Sequence, residues 1–485
     1  MRKRLTHVAG ILATLALPVA GLGQAQLAPA DPTGAPTASQ ALQTELPWWV
    51  LLDDAGLTEL LQRAARANGD LAAAVARISQ ADAVATQSRA LLLPTVSLDG
   101  QANAGPLEGL GFQFGGIPQG GAATGPLPDR FYTGSANLNL RYRLSGWGAE
   151  YRSLRASRLE AMATRGDGDG VALTLVGQVA EAYYDAVATA RQVVVLEEQL
   201  DVSSKLAELT QLRFERGEAT SLDVLQQRQQ LATTRANIPP IRAEYRTSVA
   251  RLEALVGSEP GTESFSFASS LPDVPGEVVP VVEGELLTSG IEGGLDRPDI
   301  RGADARLDAS DYRAASARWG FLPTVDFSAN VGSQFFRSID TRNQSSWGAG
   351  LTVSLPVLDG LDRVGRVREA NASRTAARGT AEQLRLQAAF EVASAQSQRL
   401  EQQAQLEALQ EQLTWSERAF QESRRRYLAG LVGFLDVLNA LNGMQQAELG
   451  VIRTQRGVLS AWIQLRQSAG GSWTRGIRRQ LLEAI

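Results

Sequence analysis

Four segments of the chain alternate apolar and polar side chains with the period of two that a β-strand requires. They lie at about 94–104, 131–145, 323–333 and 346–357. The second segment is the clearest and has two distinct faces: Ala136, Leu138, Leu140, Tyr142 and Leu144 against Ser135, Asn137, Asn139, Arg141 and Arg143. The pattern predicts four strands, each with one apolar and one polar face.

Such alternation suits two kinds of sheet: a transmembrane β-barrel with its apolar face toward lipid, and a half-buried sheet over a soluble core. Charges on the polar face and a long, glycine-rich, nearly uncharged loop at 105–125 favour the barrel. We expect one set of side chains to face a lumen: Asn139, Arg141, Arg143, Asp326 and Thr352. We expect the opposite set to face lipid: Leu138, Leu140, Tyr142, Val325, Phe327, Leu351 and Val353.

Four strands cannot close a barrel by themselves. The smallest membrane barrels have about eight strands, and an open edge in lipid leaves backbone groups without hydrogen bonds. Several copies of the chain must therefore pool their strands. Two copies would give eight strands and three would give twelve, and the pattern does not choose between them.

The remaining segments have the composition of long helices, rich in Ala, Gln, Glu, Leu and Arg. Long helices are predicted at about 149–214, 222–256, 361–427 and 435–466, and a shorter helix precedes each strand pair. At 1.5 Å per residue, the segment 361–427 makes a helix of roughly 100 Å, a length typical of coiled assemblies. Kinks or bulges, but no helix ends, are expected at Gly166 to Gly170 and at Pro239-Pro240.

A duplicated unit organises these elements. Residues 70–96 match residues 299–325 without a gap, and both stretches end in Leu-Pro-Thr-Val. Farther along, a second match at an offset of 213 residues aligns two sets: Arg213, Phe214, Gly217, Leu222 and Asp223 with Arg426, Tyr427, Gly430, Leu435 and Asp436. Each unit therefore predicts a helix, a strand pair, a long helix, a tight turn and a second long helix.

The N-terminus predicts export. Residues 1–25 combine a basic start, an apolar stretch too short to span a bilayer and small residues suited to cleavage, which indicates a signal peptide. A buried N-terminal helix is the alternative. The other predicted regions follow in order: a mobile arm at 26–46, the first unit at 47–257, a connection at 258–297, the second unit at 298–473 and a tail at 474–485. No later stretch approaches 18 consecutive apolar residues, so no transmembrane helix is predicted.

The composition of the chain excludes several common kinds of catalytic site. There is no cysteine, and the one histidine, His7, lies in the predicted signal peptide. Thiolate, Ser-His-Asp and histidine–metal sites are therefore excluded from the mature chain, and no cofactor or metal is expected. Loss of the three basic residues of the signal takes the formal net charge from −5 to −8, which argues against nucleic acid as a partner.

The order and spacing of these features resemble the outer-membrane efflux family, the channels of the TolC and OprM type. The resemblance covers about 46–473 and rests on five segments: Trp48-Trp49, Leu93-Pro94-Thr95-Val96, Arg213 to Gly217, Arg297-Pro298-Asp299 and Gly470 to Trp473. It implies a homotrimer in the outer membrane, with a twelve-stranded β-barrel and a twelve-helix periplasmic α-barrel. It also implies a passive duct, not an enzyme, that is coupled to an inner-membrane pump through a periplasmic adaptor protein.

The resemblance also assigns roles near the two tight turns. Asp436 matches a position whose three copies form a carboxylate ring at the periplasmic entrance, and Asn439 stands where some relatives have a second acid. Tyr427 and Asp223 match a pair that links neighbouring helices in the closed state, while Val432 replaces a basic partner found in some relatives. A simpler interpretation is that both acids complement the positive end of a helix dipole.

The same resemblance places the adaptor-docking surface at the turns, which contain Gly217, Gly430, Leu222 and Leu435. Glycine at both turns also permits the positive φ that ends many helices. Two other functions stay open: a structural coiled-coil protein of the periplasm, which would leave the strands unexplained, and a secreted hydrolase that uses carboxylates alone. The transported substrate is not predicted.

Overall fold

The computed structural model describes residues 47–106, 130–144, 148–262, 265–274, 296–337 and 341–479. Several sequence predictions lie wholly or largely outside these ranges: the signal peptide at 1–25, the arm at 26–46, the loop at 105–125, the middle of the connection at 275–295 and the end of the tail at 480–485. The described residues therefore consist mainly of the two repeats.

The described residues fold into two similar halves. The first half contains α1 (Ala55–Ala67), α2 (Gly69–Ala90), β1 (Thr95–Pro106), β2 (Arg130–Arg143), α3 (Ala149–Glu215) and α4 (Ser221–Leu255). The second contains α5 (Pro298–Trp319), β3 (Thr324–Arg337), β4 (Thr341–Ser354), α6 (Asp362–Leu428) and α7 (Phe434–Ala469). The predicted fold class, a duplicated and mainly helical unit with one strand pair in each half, is confirmed.

The two outgoing helices, α3 and α6, have 67 residues each, which corresponds to roughly 100 Å. Each forms an antiparallel hairpin with the helix that follows it, so α3 packs against α4 and α6 packs against α7. The helix α3 also packs against α7, which joins the hairpins into one row in the order α4, α3, α7 and α6. No helix among the described residues is both long enough and apolar enough to cross a membrane.

The glycines of α3 and the prolines of α4 do not end their helices. The structure gives a packing reason for Gly166, because a Cβ atom there would lie 2.7 Å from the carbonyl oxygen of Pro298 and 3.0 Å from the amide of Gly302. Glycine at this position therefore lets α5 lie against α3 with almost no space between the backbones. A Cβ atom at Gly170, by contrast, would meet no atom within 4 Å.

The four strands form one antiparallel sheet in the order β1-β2-β3-β4. One row across the sheet joins Leu98, Leu138, Val331 and Trp347, and the adjacent row joins Ser97, Asn139, Asn330 and Gly348. Because directly opposed residues share a face, this register collects the apolar sets of all four strands on one side and the polar sets on the other.

The bounds of the third and fourth strands differ from the sequence prediction. The fourth strand covers Thr341–Ser354 instead of 346–357, and the third continues to Arg337 instead of ending near 333. Pro356 has no backbone N–H and also restricts the conformation of the residue before it, so the hydrogen-bonded ladder ends before this proline. The alternation of apolar and polar residues nevertheless continues past the end of the ladder. The pairing of β3 with β4 continues at the other end, where Arg337 lies opposite Thr341.

The main apolar core lies where the ends of the described chain meet the long helices. Trp48 packs edge-on against Trp462 of α7 with ring centroids 5.7 Å apart, and Trp49 packs against Trp473 at 6.0 Å. The four tryptophan side chains are buried, together with Tyr183 of α3. Both tryptophan segments quoted from the sequence therefore contribute to one core, which fixes the hairpins at the end far from the tight turns.

Candidate functional site

The two tight turns that join the long helices have the same backbone geometry. Gly217 and Gly430 adopt φ values of +75° and +74°. In the first turn the amides of Gly217 and Glu218 donate to the carbonyl oxygens of Phe214 and Arg213, at 2.9 and 2.8 Å. In the second turn, the amide of Gly430 donates to Tyr427 at 3.0 Å. Both turns are Schellman motifs, in which positive φ at glycine satisfies the last helical carbonyl groups.

Tyr427 lies in a separate apolar cluster beside the second turn. The other buried members of this cluster are Leu206, Phe420, Phe434, Val437 and Leu441. The rings of Tyr427 and Phe434 meet edge-on with centroids 5.7 Å apart. The cluster contains residues from α3, α6 and α7, so it connects the end of the first hairpin to the end of the second.

Arg213 was not among the site residues predicted from the sequence, yet its side chain contacts both tight turns. Its guanidinium carbon lies 4.5 Å from the centroid of the Tyr427 ring, and its Nη1 donates to the Tyr427 carbonyl oxygen at 2.9 Å. Its Nε lies 3.6 Å from a carboxylate oxygen of Glu218. The match of Arg213 to Arg426 in the repeat gave the position but no indication of this partner, which is distant in sequence.

Asp223 forms a capping box at the start of α4. The Thr220 hydroxyl accepts a hydrogen bond from the Asp223 amide at 3.2 Å, and the Asp223 carboxylate accepts one from the Thr220 amide at 2.8 Å. The simpler interpretation, in which this acid stabilises the positive end of a helix, is therefore sufficient to explain Asp223, and the capping box adds to that effect.

Tyr427 and Asp223 influence each other electrostatically without a hydrogen bond between them among the described residues. Burial raises the pKa of the Tyr427 hydroxyl above its ordinary value, the nearby Asp223 charge raises it further, and Arg213 and Thr210 oppose the rise. The Tyr427 hydroxyl is buried and has no partner with good hydrogen-bond geometry in the part of the chain that the structure describes, although Thr210 lies beside it. The Tyr427–Asp223 link assigned by resemblance stays a prediction.

Asp436 occupies the same repeat position as Asp223 but has different surroundings. The residue that corresponds to Thr220 is Gly433, which has no side chain to form a capping box with Asp436. Asp436 and Asn439 are exposed, and the Asp436 carboxylate forms no hydrogen bond or ion pair with any described residue. A capping box of the Asp223 kind therefore does not account for Asp436, although this acid still lies in the first turn of α7, where it complements the helix dipole. The difference between threonine and glycine was visible in the sequence.

The turns also expose large apolar side chains. Leu222 and Leu435, which occupy equivalent positions in the repeat, are both exposed, and Leu431 and Phe214 are exposed beside them. Both glycines lie in open space, since a Cβ atom at either would meet no atom within 4 Å. The tips thus present apolar surface on a backbone that the Schellman motifs hold in place.

The polar face of the sheet has its own network of side chains. Arg143 of β2 donates to Asp326 of β3 at 2.9 Å and lies 3.4 Å from Glu150. Asn139 donates to Asp99 at 2.6 Å. In the part of the chain that the structure describes, no group of three acidic side chains lies close enough to hold a metal ion.

The opposite, apolar face of the sheet is not covered by the described residues of the chain. Leu351 and Val353 are 64% and 67% exposed, and none of the seven side chains expected to face lipid is buried. The apolar face of the sheet therefore does not pack on a core formed by the described residues. Whether the exposed face meets lipid stays a prediction.

The chain is similar in sequence and in structure to known outer-membrane export proteins. The family model of the outer membrane efflux protein matches residues 60–258 and 295–471. The pyoverdine export outer membrane protein OpmQ of Pseudomonas putida is 30% identical over 465 residues, which cover 92% of each chain. Among solved structures, the outer-membrane channel OprN superposes with a TM-score of 0.77 and 25% identity over 93% of this chain and 99% of its own. The outer membrane protein VceC of Vibrio cholerae shares the fold, with a TM-score of 0.74 and 24% identity over 87% and 98% of the two chains.

Proposed function

The chain belongs to the outer membrane efflux protein family, and from that premise we propose that it is the exit duct of a tripartite export system. It is an outer-membrane protein that extends into the periplasm. In the proposed system it works as a passive conduit, without catalysis, and receives its cargo from an inner-membrane pump through a periplasmic adaptor. The periplasmic coiled coil and the hydrolase are not favoured, because neither gives a role to the two-faced sheet.

The single observation that carries this proposal is the open sheet. The described residues of one chain form four strands in the order β1-β2-β3-β4, so within this part of the chain β1 and β4 are edges with unpaired backbone groups. Such edges are not stable in lipid, and a closed barrel removes them. We propose a homotrimer in which β4 of each copy pairs with β1 of the next, which gives twelve strands.

The row of long helices supports the same assembly. The order α4, α3, α7 and α6 leaves α4 and α6 at the two ends of the row, just as β1 and β4 are at the ends of the sheet. Three copies joined end to end give a ring of twelve helices below the barrel. In this arrangement the polar face of the sheet, with Asn139, Arg141, Arg143, Asp326 and Thr352, lines the lumen.

We propose that the periplasmic gate lies at the second turn. Three copies of Asp436 would bring three carboxylates together near the axis, with Asn439 one turn farther along α7. Exposure of Asp436 and the lack of a partner for its carboxylate among the described residues support this role. Repulsion within such a ring is offset by water, protons or cations. Tyr427 and Asp223 are proposed to stabilise the closed arrangement.

The adaptor is proposed to dock at the tips. Gly217 and Gly430 shape the turns, and the exposed Leu222 and Leu435 supply apolar contacts at equivalent positions of the two hairpins. Because the two tips repeat the same geometry, three copies would present six similar docking positions around the ring. Exposed apolar groups on a fixed backbone are typical of protein interfaces.

Conductance of the purified protein in a planar bilayer tests the gate. We expect Asp436→Ala to raise the single-channel conductance and to reduce block by divalent cations added on the periplasmic side. Asp223→Ala is the matched control, since it occupies the same repeat position but forms a capping box. It should loosen the closed state and leave cation block in place. Parent-like conductance and cation block in both variants would contradict the proposed gate.

A further inference from the structure

The contact between the two hairpins follows a heptad along α3. Every seventh residue from 185 to 213 faces the second hairpin: Asp185, Gln192, Gln199, Leu206 and Arg213. The first three bond across the contact to α7: Asp185 to Arg456 at 2.5 Å, Gln192 to Arg453 at 3.3 Å and Gln199 to Glu448 at 2.9 Å. Polar residues at such positions fix the register of two helices at a cost in stability.

Arg213 is the last residue of this series and bridges the two Schellman turns. Its own carbonyl oxygen accepts the Glu218 amide in the first turn at 2.8 Å. Its side chain donates at 2.9 Å to the carbonyl oxygen of Tyr427, which also accepts the Gly430 amide in the second turn. The guanidinium in addition lies over the Tyr427 ring. Arg213 therefore takes part in hydrogen bonds in both turns.

The equivalent residue of the second repeat has no such role. The Arg426 side chain is 58% exposed and bonds to Glu422 of its own helix at 2.8 Å, whereas the Arg213 side chain is 14% exposed. A guanidinium that is shielded from water and stacked on a ring interacts more strongly than one on the surface. The bridging contacts are thus specific to Arg213 and are not a general feature of the repeat.

We propose that Arg213 is a positioning residue of the periplasmic gate. It holds Tyr427, and with it the turn that leads into Asp436, against the end of the first hairpin. Loss of the guanidinium frees the second turn to move away from the first. The polar contacts of Asp185, Gln192 and Gln199, which lie farther from the turns on α3, keep the rest of the two hairpins in register. The inference rests on the gate proposed above and adds that the guanidinium of Arg213 keeps this gate closed.

Single-channel recording of three variants in planar bilayers tests this role. Arg213→Met keeps the apolar stem and removes the guanidinium, and should raise the ratio of open to closed time about fivefold, the scale expected from a lost cation–π contact and hydrogen bond. Arg213→Lys keeps a charge and one donor but cannot stack as a plane, and should give an intermediate ratio. Arg426→Met is the matched control and should behave like the parent.

Partial rescue by lysine separates a positioning role from a general loss of packing. If Arg213→Met does not assemble, Arg213→Lys decides the question, because a parent-like ratio in that variant overturns the proposal. An equal effect of Arg426→Met also overturns it. If Asp436→Ala opens the channel and Arg213→Met does not, the positioning role fails while the gate stands. If Asp436→Ala has no effect, the location of the gate fails independently of Arg213.

Discussion

Phe214 and Tyr427 occupy the same position in the two repeats, yet Phe214 is 42% exposed and Tyr427 is 5% exposed. The backbones of their turns are almost identical, so the difference arises from what surrounds each ring. Tyr427 packs against Phe434 and lies under the guanidinium of Arg213, whereas Phe214 is exposed and does not belong to that cluster. Equivalent positions of the repeat thus carry one buried ring and one exposed ring.

This difference predicts unequal effects of alanine substitution. Tyr427→Ala should lower the free energy of unfolding by about 3–5 kcal/mol, the usual cost of removing a buried aromatic ring. Phe214→Ala should change it by about 0.5 kcal/mol or less, as expected for an exposed residue. Denaturant unfolding followed by helical circular dichroism measures both. Equal losses would contradict the account, because they would require Phe214 to be buried in the assembly.

Two glycines of α3 provide a second matched pair. Gly166→Ala should destabilise the protein, because the new Cβ atom would lie 2.7 Å from the Pro298 carbonyl oxygen and the two helix backbones would have to separate. Gly170→Ala should stabilise it by about 1 kcal/mol, since alanine favours the helix and its Cβ atom meets nothing within 4 Å. Thermal unfolding of the two variants gives the comparison. Destabilisation by Gly170→Ala would show that a neighbouring copy covers this position.

Adjacent residues of β4 test which face of the sheet meets lipid. Leu351 shares the apolar face with Phe327, and Thr352 shares the polar face with Asp326. Leu351→Arg should cost about 2–4 kcal/mol near the bilayer midplane, whereas Thr352→Arg should be tolerated in a water-filled lumen. The yield of folded protein in outer-membrane fractions measures the effect. Poorer assembly of Thr352→Arg than of Leu351→Arg would reverse the predicted faces.

Tyr183 gives a pH-dependent prediction. Its hydroxyl donates to Asp54 at 3.2 Å, and burial, reinforced by the Asp54 charge, raises the pKa of Tyr183 to about 12. The folded state therefore favours the protonated phenol. Its contribution to stability is complete below about pH 10, the ordinary pKa of tyrosine, and is lost as the pH rises toward 12. Tyr183→Phe should weaken the fall in unfolding free energy between pH 10 and 12. An unchanged fall would exclude Tyr183 as a cause.

The repeat and the alternating segments were sufficient to predict the fold. The strands could be predicted from their period of two, which reflects burial of one face, and the helices from their length and composition. The end of β4 was placed too late because apolar alternation continues through Pro356, where the ladder cannot. The purpose of Gly166 was also missed, since its close neighbour Pro298 belongs to another helix.

The site was only partly predictable for the same reason. Asp223 and Asp436 could be located from the repeat, and their different caps follow from Thr220 and Gly433 in the sequence. The contact of Arg213 with Tyr427 could not be predicted, because it joins two hairpins and has no counterpart at Arg426. Local patterns identify positions within an element, whereas pairings between elements require the folded chain.

The mass of the intact assembly tests the central claim most directly. The account requires three chains that pool four strands each into one closed barrel. Native mass spectrometry of protein extracted from outer membranes in mild detergent should therefore give a single species of three chains. A monodisperse monomer that keeps its strand content by circular dichroism would contradict the account, because the edges of β1 and β4 would then be stable without partners.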